Sequence, residues 1–189
     1  MPKNETIVQE CGLGLVRVRR TAGQLAFIAP DLLRLGPVDA AHVNEIADGL
    51  RIDCDAILDA QWADNGLGWV VLRLQSRQAV LALDPDYAAL GSQMIGVVGP
   101  WEPISDGRDA QFEVRAFATG AGVNEDPVTG SLNAALAQLL IGGGHAEATY
   151  VASQGTALGR YGRVYVEKIG NDIWIGGVAK TMISGIISF

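Results

Sequence analysis

The stretch "GVNEDPVTGSLNAALAQLL", residues 122–140, carries a well-formed amphipathic helical pattern. Its apolar residues recur at helical spacing, which predicts a helix over residues 128–141. The residues in this pattern are Val128, Leu132, Ala135, Leu136, Leu139 and Leu140. The helix would have Pro127 at its first position and Gly130 within its first turn. Because glycine lowers helix stability by about 1 kcal/mol relative to alanine, we expect Gly130 to serve something other than helix stability.

The residues around this helix predict short strands joined by glycine-containing turns. The predicted strands are 6–11, 14–20, 24–29, 68–74, 94–99, 110–117, 147–153, 162–168, 172–179 and 181–188. A short helix is predicted to begin at the cap Asp39 and to end at Gly49, and two more are predicted over 76–83 and 84–94. Together these elements predict an α+β fold, in which a curled and mostly antiparallel sheet wraps around the central helix 128–141.

Composition and charge limit the class of protein. With 189 residues, 49% of them hydrophobic, the chain is predicted to form one domain, or one domain and part of another. The formal net charge of −7 argues against a nucleic-acid partner, which needs a concentrated basic face. The sequence has no apolar run long enough for a membrane span and no secretion signal, so we expect a cytoplasmic location and no membrane partner. Its two cysteines and two histidines share no metal-ligand spacing, so we expect no metal.

The start of the central helix is a candidate anion site. The first turn of a helix offers unpaired backbone N–H groups and the positive end of the helix dipole. Thr129, Gly130 and Ser131 would then form a cradle for a carboxylate, with Asp126 at its rim. The alternative is that Asp126 only caps the helix and that Gly130 only allows close packing.

Three segments together resemble the C-terminal half of the PhzF-like phenazine-biosynthesis family, relatives of diaminopimelate epimerase. They are "EDPVTGS" at 125–131, "QGTALGR" at 154–160 and the glycine pair Gly176-Gly177. In that family the first segment enters a central helix, the second forms a turn between strands and the third lies in a closing hairpin. The resemblance covers nearly all of the chain after the first few residues.

The resemblance also implies that part of the family's structure is missing. Family members have two similar lobes facing a cleft, and the first lobe carries a catalytic glutamate and a G-H-x-T cradle. Neither is found in this sequence. The segment "ETIVQECGLGLVRVRR", residues 5–20, resembles the last strands of that first lobe, so we expect 1–30 to be its remnant and 31–189 to form the C-terminal epimerase-like lobe. We also expect a homodimer, or pairing with a chain that supplies the N-terminal lobe.

The family moves a proton on a small amino or hydroxy carboxylic acid without metal or organic cofactor. By resemblance, Asp126 is the acidic residue of the second lobe, which orients the substrate or shares in proton transfer. Thr129, Gly130 and Ser131 are expected to bind the substrate, as are Ser153 and Gln154 in the turn after a strand. The alternative for Ser153 is a strand-end turn that places Gly155 at positive φ. Glu125 is expected to be a solvated neighbour that is not catalytic.

Three functions therefore compete. The chain is an isomerase or epimerase whose missing lobe is supplied elsewhere, a catalytically silent module that binds small carboxylates, or an interaction protein. The intact loop from Asp126 to Ser131 favours the first two. The missing glutamate favours the second over the first. The substrate itself is not predicted, because in this family both lobes contribute to specificity.

Overall fold

The protein, a computed structural model, is described over residues 6–12, 14–21 and 23–186. These residues form eleven strands in one sheet with the order β1-β2-β3-β11-β10-β9-β8-β7-β6-β5-β4. Within it, β6 pairs with β7 and β8 with β9 in parallel, and the other neighbours are antiparallel. The strands are β1 Thr6–Cys11, β2 Gly14–Thr21, β3 Gln24–Ile28, β4 Arg34–Pro37, β5 Asp59–Asp64, β6 Trp69–Arg73, β7 Met94–Pro100, β8 Phe112–Phe117, β9 Thr149–Gln154, β10 Gly162–Ile169 and β11 Asp172–Val178.

Four α-helices accompany the sheet in the described part of the chain, namely α1 Ala40–Leu50, α2 Arg77–Leu81, α3 Tyr87–Leu90 and α4 Gly130–Gly142. Asp39 caps α1 by accepting a hydrogen bond from the backbone N–H of His42, and Ser76 caps α2 in the same way through Ala79. The α+β class and the mostly antiparallel sheet are therefore confirmed.

Helix α4 is buried in the middle of the molecule, as predicted. Six consecutive residues, Leu132 to Ala137, are buried, so α4 is covered on all sides and not only along one apolar face. Its core neighbours come from seven successive strands, β5 to β11. Seven flat strands would span about 30 Å, whereas a helix is only about 10 Å wide, so the sheet must curl to reach α4 from all of them. We call the face toward α4 the inner face.

The outer face of the sheet has its own core. Strands β6, β7 and β8 alternate, so that residues such as Val71 and Val114 face α4, while Val70 and Val97 face helices α1, α2 and α3. In β8 apolar residues alternate with the charged Glu113 and Arg115, yet all six of its residues are buried. The charged ones lie on the outer face, where helices and loops cover them.

Two local predictions are wrong, and two strands were missed. Gly49 does not end α1, because the helix continues to Leu50 and Arg51 is its left-handed cap. Instead, a Cβ on Gly49 would lie 2.5 Å from Leu90 Cδ2, so the missing side chain lets α1 pack against α3. Strands β4 and β5 were not predicted at all. In the predicted strand 181–188, residues 181–186 pair with no described strand and leave Met182 and Ile183 exposed. Its last two residues lie outside the described ones.

The first three strands continue the sheet of the rest of the chain. Strand β3 pairs with β11 through partners that run from Gln24↔Val178 to Ile28↔Trp174. Arg17 and Arg19 of β2 also form ion pairs with Asp172 and Glu167. The division at residue 30 into a lobe remnant and a C-terminal lobe stays a prediction.

Candidate functional site

The loop before α4 stays extended up to Thr129, so the helix begins later than predicted. Thr129 is the N-cap, with φ −113° and ψ 107°, and Gly130 is the first helical residue. Pro127 therefore lies outside the helix, and Val128 is 46% exposed and makes no contribution to the helical face. The N-terminus of α4 has no side-chain cap. The N–H groups of Gly130 and Ser131 thus have no side chain bonded to them among the described residues.

Gln154 holds this loop in place from the end of β9. Its Oε1 accepts hydrogen bonds from the backbone N–H of Thr129 (3.1 Å) and from Asn133 Nδ2 (2.8 Å). Its Nε2 donates to the carbonyl of Asp126 (2.9 Å) and to Thr129 Oγ1 (2.9 Å). Gln154 is fully buried, so its amide is used entirely within the protein. These bonds hold the chain extended up to Thr129, which explains why α4 begins at Gly130 and not at Pro127.

Asp126 lies at the end of the same network. The hydroxyl of Thr129 donates to Asp126 Oδ2 at 2.6 Å, and the backbone N–H of Asp126 donates to the carbonyl of Ala116 at 2.9 Å. One carboxylate oxygen is therefore fixed by Thr129, and the carboxylate is held beside the first turn of α4. A carboxylate in a fixed position is what proton transfer to or from a bound molecule requires.

Glu125 is not a solvated neighbour, contrary to the sequence-based expectation. Its carboxylate forms two parallel bonds with Arg115, from Nε at 2.9 Å and from Nη2 at 2.8 Å. The side chains are only 5% and 3% exposed. Arg115 also donates from Nη1 to the carbonyls of Leu83 (2.7 Å) and Val80 (3.3 Å). This buried ion pair ties the loop before α4 to β8 and to the end of α2.

Ser131 borders a cavity beside the helix start, and Gly130 lies next to Phe27. A Cβ on Gly130 would lie 3.4 Å from the ring of Phe27, an ordinary contact distance. Ser131 accepts a hydrogen bond at Oγ from Trp69 Nε1 (3.1 Å) and at its carbonyl from Asn65 Nδ2 (2.8 Å). Together with Phe27 and Asn65, Ser131 lines an apolar cavity of about 330 Å³. Asp126 is not among the residues that line this cavity.

Ser153 lies apart from this cluster. Neighbouring residues of a strand point to opposite faces, so Ser153 and Gln154 face opposite sides of the sheet. Ser153 Oγ accepts a bond from Arg163 Nη1 (3.0 Å) and lies 3.2 Å from Thr156 Oγ1. The structure thus brings Asp126, Thr129 and Gln154 together, and it places Ser153 on the outer face.

Two residues of the site were missed by sequence reasoning. Asn133 is fully buried and donates from Nδ2 to both the Thr129 carbonyl and Gln154, whereas its Oδ1 has no hydrogen-bond partner among the described residues. Arg115 anchors the loop through Glu125. A polar residue inside an apolar helix and an arginine inside an apolar strand were the signals, because buried polar groups are almost always paired.

The described residues contain neither a membrane-spanning helix nor a cluster of metal-ligand side chains. None of the described helices is both long and apolar enough to cross a bilayer. Within the described part of the chain, no three His, Cys, Asp or Glu residues are grouped so that they could hold a metal ion.

Comparison with known proteins shows the family to which this chain belongs. The sequence profile of the PhzC-PhzF family, described as phenazine biosynthesis-like protein, matches residues 1–185. A relative from Schizosaccharomyces pombe, Antisense-enhancing sequence 1, is 32% identical over 205 aligned positions that cover 97% of this chain and 67% of the relative. An uncharacterized isomerase from Clostridium acetobutylicum is 30% identical, over 69% of this chain and 47% of its own length.

A solved structure confirms the fold. The crystal structure of a PhzF-family phenazine biosynthesis protein from Enterococcus faecalis superimposes with a TM-score of 0.74 at 23% identity, covering 97% of this chain and 65% of that one. This chain therefore spans about two thirds of the length of that protein and of the yeast relative.

Proposed function

This chain belongs to the PhzC-PhzF family of phenazine biosynthesis-like proteins, and we propose that it forms part of an isomerase or epimerase. The reaction is a cofactor-independent proton transfer on a small amino or hydroxy carboxylic acid. The start of α4 holds the substrate carboxylate, and Asp126 acts on or orients the substrate beside it. The uncharacterized isomerase among the relatives supports the reaction class.

One observation carries this proposal. Asp126 is fixed by Thr129 next to a helix N-terminus that has no side-chain cap. Backbone N–H groups at such a position stabilise a carboxylate, and in proton transfer next to a carboxylate they also stabilise the negative charge that develops. The buried hydrogen bonds of Gln154 and Asn133 hold Asp126 and the helix start in place before a ligand binds.

A second acid–base group is required, because a carbon acid that changes configuration loses a proton on one side and gains one on the other. In the loop before α4, the other carboxylate, Glu125, is buried in its pair with Arg115. We therefore propose that the second group comes from a partner surface that packs on the inner face of β1 to β3, in a homodimer or a complex. The half-exposed apolar residues there, such as Val16 and Phe27, support that contact.

A cytoplasmic location belongs to the same proposal. Both cysteines, Cys11 and Cys54, are free thiols, which fits a reducing compartment.

Exchange of a substrate's α-proton with solvent tests the proposed chemistry. The protein is incubated in D₂O with a panel of small amino and hydroxy acids, and incorporation of deuterium at the α-carbon is followed by NMR. Asp126→Asn should remove the exchange, while Glu45→Gln, an exposed carboxylate on α1, should leave it unchanged.

The same panel separates the two candidate functions. Binding of a carboxylate that requires Asp126 and Gly130 but gives no exchange would favour a catalytically silent module, in line with the missing family glutamate. Absence of both binding and exchange would refute the isomerase and the binding module together.

A further inference from the structure

A second cavity lies at the opposite end of α4. It has a volume of about 430 Å³, which is within the range of about 300–1,000 Å³ typical of small-molecule sites. Its walls are inner-face residues of β5, β6 and β7 and the last turn of α4. Since α4 has 13 residues, this cavity lies about 20 Å from the helix start and from Asp126. The proposed isomerase chemistry makes no use of it.

One wall of the cavity carries an arginine whose Nε has no partner among the residues that the structure describes. Arg73 is the last residue of β6 and follows Trp69 and Val71 on the inner face. Its Nε has no solvent exposure and no hydrogen-bond partner among the described residues. A buried donor that is left unpaired is unusual in a folded protein and calls for an acceptor. A carboxylate is the acceptor that fits the guanidinium best, since it can take two parallel bonds.

The opposite charge lies on the neighbouring strand. Asp59 of β5 is the register partner of Arg73, so both side chains leave the same face of the sheet. The two nevertheless form no ion pair within 4.0 Å, and Asp59 Oδ1 accepts instead from Gln61 Nε2 at 2.9 Å. Gly142 and Gly143, at the negative end of the α4 dipole, complete this side of the cavity. A cation is therefore favoured near Asp59.

Three polar side chains also line the cavity, namely Gln61, Gln138 and His145, and the remaining side chains of its wall are apolar. The apolar part is formed by Leu35, Val71, Val98, Leu136, Leu139 and Leu140. These features match a ligand that carries both charges and an apolar body. Arg73 offers a positive charge, Asp59 offers a negative charge that is not paired with it, and the apolar residues offer a surface for the body of the ligand. We propose that this cavity binds an α-amino acid with an apolar side chain. Its carboxylate is held by Arg73, its ammonium by Asp59 and the end of α4, and its side chain by the apolar wall.

Binding of L-leucine to the whole protein, measured by calorimetry and by backbone amide shifts, tests this proposal. Two analogues each lack one charge: 4-methylpentanoate lacks the ammonium and 3-methylbutylamine lacks the carboxylate. We expect L-leucine to shift amides around Arg73 and Gly143, and each analogue to bind about tenfold more weakly or worse. L-phenylalanine, which also has an apolar side chain, should bind at the same residues.

Two variants assign the charges. Arg73→Gln should weaken the binding of L-leucine and of 4-methylpentanoate but not that of 3-methylbutylamine. Asp59→Asn should weaken the binding of L-leucine and of 3-methylbutylamine but not that of 4-methylpentanoate. Arg108→Gln, an exposed arginine, is the matched control and should bind as the unchanged protein does. If Arg73→Gln does not fold, Arg73→Lys, which keeps the charge, replaces it and should bind with lower affinity than the unchanged protein.

The outcomes separate this site from the one at the helix start. Asp126→Asn should leave leucine binding at Arg73 intact, even if it abolishes the proposed exchange activity. The proposal is overturned if neither amino acid perturbs this cavity, or if the Arg73 and Asp59 variants bind L-leucine as the unchanged protein does.

Discussion

Gly155 faces the carbonyl oxygen of Pro127 so closely that a Cβ on Gly155 would lie 2.7 Å from that oxygen. Gly155 also has φ +88°, a left-handed conformation that side chains disfavour. The turn after Gln154 therefore presses directly on the loop that carries Asp126. Because the obstructing atom is backbone, the contact cannot be relieved by rotating a side chain.

Gly155→Ala is expected to destabilise the protein and to disturb the site. Gly159→Ala is a matched control, since Gly159 also has positive φ (+67°) but has no atom near its Cβ position. Backbone strain of about 1–3 kcal/mol applies to both variants, and only Gly155→Ala adds the clash. Urea denaturation should show the larger loss for Gly155→Ala. Equal losses would show that the contact with Pro127 has no energetic weight.

Removal of Glu125 should be strongly destabilising. Glu125→Ala leaves the buried guanidinium of Arg115 without its partner, which costs about 3–5 kcal/mol in comparable buried pairs. Glu45→Ala, at an exposed position on α1, should change the free energy of unfolding by less than about 0.5 kcal/mol. A small effect at Glu125 would mean that the loop opens and lets water reach Arg115.

The four hydrogen bonds of Gln154 predict a second sensitive position. Gln154→Ala removes partners from Thr129, Asn133 and Asp126, and a buried group left unpaired costs about 1–3 kcal/mol. We expect a loss of at least about 2 kcal/mol in the free energy of unfolding, together with loss of carboxylate binding at the helix start. Asn171→Ala, at an exposed position in the turn between β10 and β11, should have neither effect.

The stability contributed by Asp109 should depend on pH. Hydrogen bonds from Arg163 first, and then from Tyr161, hold the pKa of Asp109 below its ordinary value of 3.8. The folded state thus favours the ionised carboxylate, so this contribution is complete above that ordinary value and is lost as the pH falls through the lowered folded pKa. The difference in unfolding free energy between the protein and Asp109→Asn should therefore be constant at neutral pH and shrink on acidification below pH 3.8. A difference that does not change with pH would contradict this assignment.

Association is expected through the inner face of β1 to β3. Val16, Val18 and Phe27 line a cavity of about 360 Å³ on these strands, and β1 is an edge strand among the described residues. Light scattering should therefore show a mass above that of one chain, and Val18→Lys should lower it. Val178→Lys, at a position that is already 73% exposed, is the control. A single-chain mass at all concentrations would argue against a homodimer.

The sequence was most informative where a local pattern and the final environment agree. Asp39 and Ser76 were identified as caps because capping depends on residues within one turn of the helix. Strand β4 escaped notice because "RLGP" contains Gly36 and Pro37, which are unfavourable in strands, and it forms only by pairing with β5 at the sheet edge. The strand predicted over 181–188 has the right residue types but finds no described partner over 181–186.

Part of the candidate site could likewise be predicted from the sequence and part could not. The loop from Asp126 to Thr129 could be identified from its residues, but the partners that hold it come from distant parts of the chain. Gln154 lies 25 residues from Thr129, and its four bonds follow from the arrangement of β9 beside α4. Ser153 was grouped with Gln154 although adjacent strand residues face opposite ways, which the sequence alone already implied.

The pairing of β3 with β11 has a consequence for synthesis of the chain. Gln24 and Val178 are partners in this pair although about 150 residues separate them. At about 5–20 residues per second, a ribosome makes β11 roughly 8–30 seconds after β3. During that interval β3 lacks its partner β11, and this edge is open to chaperones and to other nascent chains. The sheet beside α4 is thus continuous from β3 to β11 only after β11 has been made.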